Sequence, residues 1–316
     1  MMKENQDTNN FNAVTEQWLQ YIRFTKKYST YVKYQSIYEK YIRPRIGNSH
    51  TDEITTAECQ QILKTAYGKY RKKTISQSTY NSVKIVLFQI LNYAESPVSI
   101  PKIKKSFPAV CHDSLYTAVL SNEEQFKLNS FLLQEVDSYK IGVLVCLYTG
   151  LRLGEICALR TKDIDFMRKC IYVNQTVQRI KTEGEKQKTR LIISDPKTVS
   201  SKREVPLCDF LLKLLLDHMP QTEYLLGKKP LEPRTYQYKL KQYFSALSIK
   251  GKHFHSLRHT FATNCIESGM NPKCLSEILG HADVNTTLNR YVHPSFDSKI
   301  HQINVFANTY KQTALF

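Results

Sequence analysis

Five side chains in the second half of the sequence are of types that could act together on a phosphate group. They are Arg152, His255, Arg258, His281 and Tyr291, and the last three intervals are 3, 23 and 10 residues. Arginine and histidine can hold a phosphate, and a phenol can attack one when cations and a base lie close to it. The chemistry would be cleavage of a phosphodiester by a tyrosine, although each residue taken alone has an ordinary structural explanation.

Two of these residues, His255 and Arg258, lie on one predicted helix in "HFHSLRHTFATNCIE". The apolar positions of that helix are Phe254, Leu257, Phe261 and Cys265. Arg258 lies about 60° from the centre of this stripe, where an unpaired cation is costly, so it needs a carboxylate or an anionic ligand. His255 precedes it by three residues, and both could reach one phosphate. The motif alone is weak, since most such pairs in basic proteins lie on the surface.

A second arginine lies in "YTGLRLGEICALR", between two predicted helices. Gly150 is suited to end the first helix, and a short helix begins near Gly154 with Glu155 in its first turn. Arg152 precedes that positive helix end, where it fits well if both share an anion. A salt bridge from Arg152 to Glu155 is the competing structural explanation. We expect Glu155 to position its neighbours rather than to act as an acid.

The tyrosine lies in "SEILGHADVNTTLNRYVHP", where one helix is predicted to stop at Gly280 and His281 follows. A second short helix starts near Asn285 and cannot pass Pro294. Tyr291 falls in its last turns, and a tyrosine on such a short helix can move towards a DNA backbone. Packing is the ordinary explanation for a single tyrosine in a chain that has 20 of them.

The elements that must position these residues form a mainly α fold. Apolar residues recur at helical spacing over residues 11–95, and the proline-containing stretch "SPVSIPKIKKSFPAV" predicts an extended linker. Ser121 and Glu124 form a capping-box pattern that opens the next helix. Three segments within residues 170–207, "CIYVNQTVQRI", "RLIIS" and "REVPL", predict short strands. We therefore expect helices with one small antiparallel β-sheet.

Charge identifies the expected partner. The chain carries a net charge of +17, with 17 basic and 8 acidic residues in positions 1–110 and 28 and 20 in positions 111–316. Both parts therefore suit a polyanion, and nucleic acid is favoured over general solubility as the reason. The eight cysteines form no CxxC pair, which argues against a zinc or redox motif. No apolar run reaches membrane-spanning length, so a cytoplasmic protein is expected.

With these elements in place, the sequence closely resembles the tyrosine recombinase family, which includes phage and transposon integrases and Xer-type recombinases. The resemblance rests on "TGLRLGEICAL", "PKTVSSKREVPL", "HSLRHTFAT" and "LGHADVNTTLNRYVH", in this order and spacing. Each motif is weak alone, and the four together are highly specific. The resemblance is strong over about residues 120–295 and looser over 11–105, which would correspond to a helical, SAM-like core-binding domain.

The resemblance implies a role for each residue. Tyr291 would be the nucleophile that forms a 3′-phosphotyrosyl bond and frees a 5′-hydroxyl. Arg152 and Arg258 would hold the non-bridging oxygens and balance the charge of the transition state. His255 would assist as general acid/base, and His281 would hydrogen-bond the phosphate.

Two further residues have supporting roles in this scheme. Lys197, in the "PKT" turn, would protonate the leaving 5′-oxygen, and Lys202 on the same turn stays open as the alternative. Glu155 would orient the Arg152 side of the site. Because the phosphotyrosyl bond stores the energy of the phosphodiester, the scheme requires neither a metal nor a cofactor.

The resemblance also predicts the domain layout. It consists of a polar lead (residues 1–10), a core-binding domain (11–105), a linker (106–118), a catalytic domain (119–296) and a C-terminal segment (297–316). About ten residues precede the first helix, so we expect no arm-binding domain. Ile300, Ile303, Val305 and Phe306 form an apolar strip, so we expect the last segment to dock on a neighbouring protomer.

The implied partners are double-stranded DNA with inverted half-sites and further copies of the chain, assembled as a tetramer on DNA. Accessory DNA-bending or directionality proteins are additional candidates. The hairpin sequence leans towards integration and excision of a mobile element. Two alternatives stay open: a type IB topoisomerase-like relaxing enzyme that uses the same chemistry, and a DNA-binding regulator without activity. The intact residue set argues against the regulator.

Overall fold

The computed structural model describes residues 10–96, 98, 100–107, 119–181, 189–194, 202–291, 300, 303, 304 and 307. The chain divides into two compact units, Met1–His112 and Asp113–Phe316. We refer to them as the N-terminal unit and the C-terminal unit and describe each by itself. In the described part of the chain, no helix is both long and apolar enough to cross a membrane.

The described residues of the N-terminal unit are helical, as predicted for residues 11–95. Its helices are α1 (Phe11–Thr25), α2 (Tyr28–Ile37), α3 (Arg43–Ile46), α4 (Thr56–Arg71), α5 (Gln77–Tyr93) and α6 (Ile100–Ser106), with a π-helical turn at Tyr38–Ile42 and a 3₁₀ turn at Thr51–Glu53. Local caps fix several of the starts. The side chains of Asn10, Thr55 and Ser76 accept hydrogen bonds from the first turns of α1, α4 and α5.

The aromatic residues of this unit are divided between core and surface. Trp18, Tyr31, Tyr38 and Tyr80 are buried with the aliphatic residues of α4 and α5. Others are only partly buried and lie near lysines: the Nζ atoms of Lys40 and Lys69 both lie 5.4 Å from the centre of the Tyr41 ring. Part of the tyrosine-rich pattern is therefore ordinary core packing, and part forms a basic aromatic surface.

The prediction of an extended linker from residue 96 onwards is wrong for its first part. Ile100–Ser106 forms α6, and Ile103 is buried within the core of the N-terminal unit. Pro101 is compatible with this helix because it lies in the first turn, where a backbone N–H has no intrahelical partner. Apolar burial of Ile103 then outweighs the breaking tendency of the prolines.

Among its described residues, the C-terminal unit contains a 3₁₀ turn at Thr161–Asp163 and eight α-helices with defined bounds. They are α7 (Asn122–Leu132), α8 (Ser138–Thr149), α9 (Leu153–Cys157), α10 (Asp209–His218), α11 (Pro233–Ala246), α12 (Phe254–Glu267), α13 (Pro272–Leu279) and α14 (Asn285–Tyr291). The predicted capping box is present at α7, where the Ser121 hydroxyl accepts from the Glu124 N–H. Helix α8 is buried along most of its length and packs against α12, so it forms the centre of the core.

Five strands form two small antiparallel sheets. The strands are β1 (Ile164–Asp165), β2 (Cys170–Val173), β3 (Thr176–Lys181), β4 (Thr189–Ser194) and β5 (Arg203–Pro206). One sheet has the order β1-β2-β5, with Ile171 opposite Val205, and the other pairs β3 with β4, with Gln178 opposite Ile192. The second sheet approaches α9 closely, since a Cβ at Gly154 would lie 2.6 Å from the Val177 carbonyl oxygen.

The strand predicted from "CIYVNQTVQRI" is therefore wrong as a single element. It is interrupted at Asn174 and Gln175, and its halves belong to different sheets. The Asn174 amide lies 3.4 Å from an oxygen of Asp163, so its side chain bonds outside the ladder. A short polar side chain that competes with the ladder favours such a break. Strand β1 is a further element that the sequence analysis did not predict.

Candidate active site

Three arginines converge on the carbonyl end of α13. Arg203 Nε donates to the carbonyl oxygen of Ile278 at 2.5 Å, Arg258 Nη2 to that of Leu279 at 2.7 Å, and Arg152 Nη2 to that of Gly280 at 3.0 Å. The last carbonyls of a helix have no intrahelical partner and carry its partial negative charge. The end of α13 therefore gathers cations from three distant parts of the chain: β5, α12 and the start of α9.

Glycines make this arrangement possible. Gly280 ends α13 in the left-handed conformation at φ 64°, and Gly150 ends α8 in the same way at φ 66°. Both helix stops were predicted from the sequence and are confirmed. A Cβ at Gly150 would lie 2.5 Å from Phe261 and 2.8 Å from Leu279, so this position also allows α8, α12 and α13 to approach closely.

Arg258 is the most deeply buried of the three arginines, at 3% exposure. Its Nη1 donates to the Gly150 carbonyl oxygen at 2.7 Å, and its Nη2 also lies 3.0 Å from Nε2 of His281. The helical spacing predicts Arg258 at the margin of the apolar face of α12, and the ends of α8 and α13 cover that margin. Among the described residues its hydrogen-bond partners are neutral, so a protein carboxylate does not bond to it.

Burial and then repulsion by Arg152 lower the pKa of Arg258 to about 9. The guanidinium is therefore still charged at neutral pH. A buried cation with neutral partners is costly unless an anion completes its surroundings. Of the two partners predicted for Arg258, a protein carboxylate and an anionic ligand, the structure therefore favours the anionic ligand.

Arg152 and Glu155 form the salt bridge that was the competing explanation for Arg152. Arg152 Nη1 lies 2.7 Å from Glu155 Oε1, and the Arg152 backbone N–H donates to Glu155 Oε2 at 2.9 Å. The side chain of Arg152 is nevertheless 35% exposed, whereas that of Glu155 is 3% exposed. Arg152 therefore retains open surface beside its bonds to Glu155 and Gly280.

Arg203 is a site residue that the sequence analysis missed. Its Nη2 lies 2.9 Å from Glu155 Oε2, and both side chains are buried. Burial would raise the pKa of Glu155, but Arg203 and then Arg152 lower it to about 2. Glu155 is therefore ionised and has two arginine partners. The strand "REVPL" gave no signal for this, because the pair joins positions far apart in the sequence.

His281 is held from both sides of its ring. Nε2 faces Arg258, and Nδ1 lies 2.8 Å from the hydroxyl oxygen of the buried Thr287. A guanidinium cannot accept a hydrogen bond, so Nε2 accepts and the ring proton lies on Nδ1. The backbone N–H of His281 donates to the Ser276 carbonyl oxygen at 3.0 Å. Helix α14 therefore fixes the histidine that follows α13.

Tyr291 is at the end of the described part of α14, where the sequence analysis expected it. Its Oη lies 2.9 Å from Nδ1 of His259, a buried residue of α12 that was not singled out. His255 lies on the exposed side of α12, and its ring packs edge-on against His259 with 4.5 Å between ring centres. The signal available for His259 was its position four residues after His255, on the same helix face.

The structure describes only one of the two candidate lysines. Lys197 lies outside the described residues. Lys202 is exposed and directly precedes Arg203 at the start of β5. Its backbone is therefore one residue from the arginine that binds Glu155 and the end of α13.

The site contains two cations, Arg152 and Arg258, and a histidine whose ring is held in place, His281. It also contains Tyr291, which lies beside the paired rings of His259 and His255. The structure links Arg152, Arg258 and His281 through the end of α13, and Tyr291 hydrogen-bonds to His259, the residue after Arg258 on α12. Such a site can hold a phosphate and present a phenol to it.

Comparison with known proteins gives the family context. Residues 119–298 match the Phage integrase family, and residues 10–67 match the N-terminal SAM-like domain of phage integrases. A XerC-like tyrosine recombinase of Caldanaerobacter subterraneus subsp. tengcongensis is 29% identical over 308 residues, covering 87% of this chain and 77% of that protein. The transposase from transposon Tn916 of Enterococcus faecalis is 32% identical over 209 residues, which cover 59% of this chain and 50% of the transposase.

Solved structures share the fold. The Tn1549 transposon integrase in complex with transposon right end DNA aligns with a TM-score of 0.74 at 20% identity, covering 94% of this chain and 99% of that chain. A lambda integrase dimer bound to a core site aligns with a TM-score of 0.63 at 18% identity, covering 88% and 94%. These similarities confirm the predicted fold class, a helical SAM-like domain with a mostly helical domain that contains small antiparallel sheets.

Proposed function

The chain belongs to the Phage integrase family, and we propose that it is a site-specific DNA recombinase acting through a phosphotyrosyl intermediate. The observation that carries the proposal is the state of Arg258. It is a buried cation with neutral hydrogen-bond partners, held between the ends of α8 and α13 with Arg152 bonded to the next carbonyl. A scissile phosphate would supply the hydrogen-bonded anionic partner that Arg258 lacks among the described residues.

In this proposal Tyr291 attacks the phosphorus and forms a 3′-phosphotyrosyl bond. Arg152 and Arg258 hold the non-bridging oxygens, whose charge grows in the transition state. His281 is oriented by Thr287 and donates to the same phosphate when its Nε2 is protonated, which replaces the bond that Nε2 accepts from Arg258 in the chain without DNA. The 5′-oxygen leaves as a hydroxyl, and attack by another 5′-hydroxyl reverses the step and joins a new strand.

Proton transfer and orientation fall to the surrounding residues. His255, on the open face of α12, assists as general acid/base. Lys197 protonates the leaving oxygen, and Lys202 is the alternative on the same turn. Glu155 holds Arg152 and Arg203 in place. The covalent bond conserves the energy of the phosphodiester, so the step needs no nucleotide.

We propose DNA with inverted half-sites as the substrate, gripped by both units, each of which carries excess basic residues. Solved relatives support this partner: the Tn1549 integrase was solved with transposon DNA, and lambda integrase as a dimer on a core site and as a tetramer on a Holliday junction. The relatives named transposase or phage integrase support integration and excision of a mobile element. Accessory DNA-bending or directionality proteins remain part of the proposal.

The C-terminal segment, residues 297–316, is proposed to join neighbouring protomers on DNA. Among its described residues, Ile300 is 46% and Ile303 is 67% exposed. Both offer apolar surface that a neighbouring protomer would cover. A chain truncated after residue 296 should bind one half-site and fail to assemble two or more protomers on a full site. Undiminished assembly of the truncated chain would contradict this role.

The central test replaces the nucleophile. Full-length wild-type protein and Tyr291→Phe are expressed in the host, recovered under denaturing conditions without crosslinker, and the attached DNA is sequenced. The wild type should carry 3′-linked DNA that ends at one site between inverted repeats, and Tyr291→Phe should carry none while binding that site equally well. Tyr238→Phe, an exposed tyrosine of α11, serves as the matched control.

Two outcomes would redirect the proposal. Adducts at unrelated sequences, with relaxation of any supercoiled plasmid by a monomer, would indicate a topoisomerase-like enzyme. Site-specific binding by the wild type with no adduct on any nicked duplex would indicate a DNA-binding regulator. Membership in the Phage integrase family favours neither.

A further inference from the structure

The hydrogen-bond partner of the proposed nucleophile is a histidine that has no role in the scheme above. Tyr291 Oη lies 2.9 Å from Nδ1 of His259, and the two rings are 5.7 Å apart at 52°. We propose that His259 is a further catalytic residue, the group that takes the proton of Tyr291 when its oxygen attacks phosphorus. This inference rests on the proposed function, since it concerns the same tyrosine.

The position of His259 suits this task. It is 8% exposed and lies on α12 directly after Arg258, the residue expected to hold the phosphate. Because α12 carries both residues, the acceptor and the phosphate-holding group move together. Tyr291 comes from the separate helix α14, and its phenol already lies against His259. A general base must lie within hydrogen-bond distance of the proton it accepts, and 2.9 Å meets that requirement.

The packing of His259 also limits how its ring can turn. His255 lies against it edge-on, with an interplanar angle of 80°, and Tyr291 contacts it on another side. The ring is therefore held with Nδ1 towards the phenol. His255, on the exposed side, is left to act elsewhere on the substrate. The two histidines of "HSLRH" thus divide the acid and base work.

The proton transfer balances in both directions. In cleavage, the Tyr291 O–H donates its proton to the unprotonated Nδ1 of His259 as the tyrosyl O–P bond forms. The P–O5′ bond breaks, and the leaving 5′-oxygen takes a proton from the lysine of the proposed function, Lys197 or Lys202. His259 then carries the positive charge. In rejoining, the 5′-hydroxyl gives its proton to the same lysine as it forms the new P–O bond. The tyrosyl O–P bond breaks, and His259 returns its proton to the leaving phenolate oxygen. A buried imidazolium keeps that proton close for the reverse step.

A different role for the same contact makes the opposite prediction. If His259 merely holds Tyr291 away from DNA, removing the bond should release the tyrosine and speed adduct formation. If His259 accepts the proton, removing its basicity should slow adduct formation. The direction of the change in the rate of adduct formation therefore shows whether His259 restrains Tyr291 or accepts its proton.

The experiment measures single-turnover adduct formation by the full-length protein on a saturating nicked duplex that carries the captured site. His259→Asn keeps an oxygen acceptor near the position of Nδ1 but is not basic. We expect it to be slower than wild type by about 10²-fold or more, the usual contribution of a general base. His218→Asn, at the exposed end of α10, is the matched histidine control and should match wild type.

One change in the substrate and one change at residue 291 test whether His259 accepts the proton of Tyr291. A duplex with sulfur at the bridging 5′ position has a leaving group that needs no proton, so the defect of His259→Asn should persist on it. Incorporation of 3-fluorotyrosine at position 291 makes the phenol more acidic, so that defect should shrink. A defect that disappears with sulfur, or that fluorination leaves unchanged, would overturn the assignment.

The outcomes distinguish this inference from the proposed function. If wild type forms no adduct, the proposed function itself fails. If wild type forms the adduct and His259→Asn forms it equally fast or faster, the base assignment alone is wrong. His259→Gln provides a second variant if the asparagine protein does not bind DNA with wild-type affinity, and it should show the same slow adduct formation.

Discussion

Each unit of the chain holds a buried cation against the carbonyl end of a helix, and the two cations differ in what surrounds them. In the N-terminal unit, Lys84 is 7% exposed and donates to the carbonyl oxygen of Phe107, directly after α6. In the C-terminal unit, Arg258 donates to the carbonyl oxygens of Leu279 and Gly150, at the ends of α13 and α8. In both units a buried side-chain cation donates to a backbone carbonyl oxygen at the end of a helix.

The neighbours of each cation decide its use. Burial and then Lys104 lower the pKa of Lys84, and its Nζ lies 5.8 Å from the Tyr80 ring centre. That lysine closes a helix within a packed core. Around Arg258, by contrast, His281 and Arg152 bring further hydrogen-bonding and cationic groups to the same helix end. A buried cation becomes an anion site when other donors converge on it, and otherwise serves the fold.

The largest effect expected from this contrast follows replacement of Arg258 by lysine. Arg258→Lys keeps the charge but loses the fork that reaches two carbonyls and a histidine at once. Adduct formation should fall by about 10²–10³-fold, the usual cost of one transition-state donor. Single-turnover rates at saturating duplex measure the change.

A matched control uses an arginine of the same unit that binds a carboxylate. Arg160 pairs with Asp163 at 2.9 Å, away from α13. Arg160→Lys should leave the rate of adduct formation within a few-fold of wild type. Equal losses in the two variants would mean that Arg258 acts through general stability and not through the phosphate.

The next effect concerns the stability of the C-terminal unit. Glu155→Gln leaves Arg203 buried without its carboxylate, and breaking such a pair costs about 3–5 kcal/mol. The lowered pKa of Glu155, from 4.5 to about 2, gives a similar figure of about 3 kcal/mol at neutral pH. Urea titrations followed by far-UV circular dichroism measure the free energy of unfolding.

The sign of the pH dependence follows from the direction of the shift. The folded-state pKa of Glu155 is below its ordinary value, so its stabilisation is complete above about pH 4.5 and is lost as the pH falls towards about 2. The deficit of Glu155→Gln should therefore be largest near pH 7 and shrink below pH 4.5. Glu204→Gln, which breaks an exposed pair with Arg168, should cost less than about 1 kcal/mol at any pH.

The sequence was informative where local chemistry decides the structure. The capping box at Ser121 and the left-handed glycines at 150 and 280 act within a few residues, and each was predicted in place. The helical spacing around Arg258 predicted its helix correctly. The full burial of Arg258 could not be predicted, because α8 and α13 are far from α12 in the sequence and their approach leaves no periodic signal.

The parts of the site that could not be predicted are pairs formed across the fold. Arg203 binds Glu155 across 48 positions, and Tyr291 meets His259 across 32. An arginine at a strand start and a histidine within a helix each have many ordinary explanations. The same limit explains α6, where burial of Ile103 overrides the prolines. Such choices depend on tertiary packing, which composition and spacing do not encode.

The smallest expected effect is the loss of stability caused by replacing Lys84, the buried cation of the N-terminal unit. Lys84→Met fills similar volume but leaves the Phe107 carbonyl oxygen without this donor, which costs about 1–2 kcal/mol. Trp18 is the single tryptophan of the sequence and is buried in the N-terminal unit, so its fluorescence reports unfolding of that unit. The Trp18 transition should move to lower urea while the rate of adduct formation at saturating duplex stays unchanged. Lys69→Met, which removes an exposed lysine, should leave the transition in place.

A large loss of rate in Lys84→Met would mean that the buried lysine serves catalysis as Arg258 does, and the distinction drawn from their neighbours would not hold.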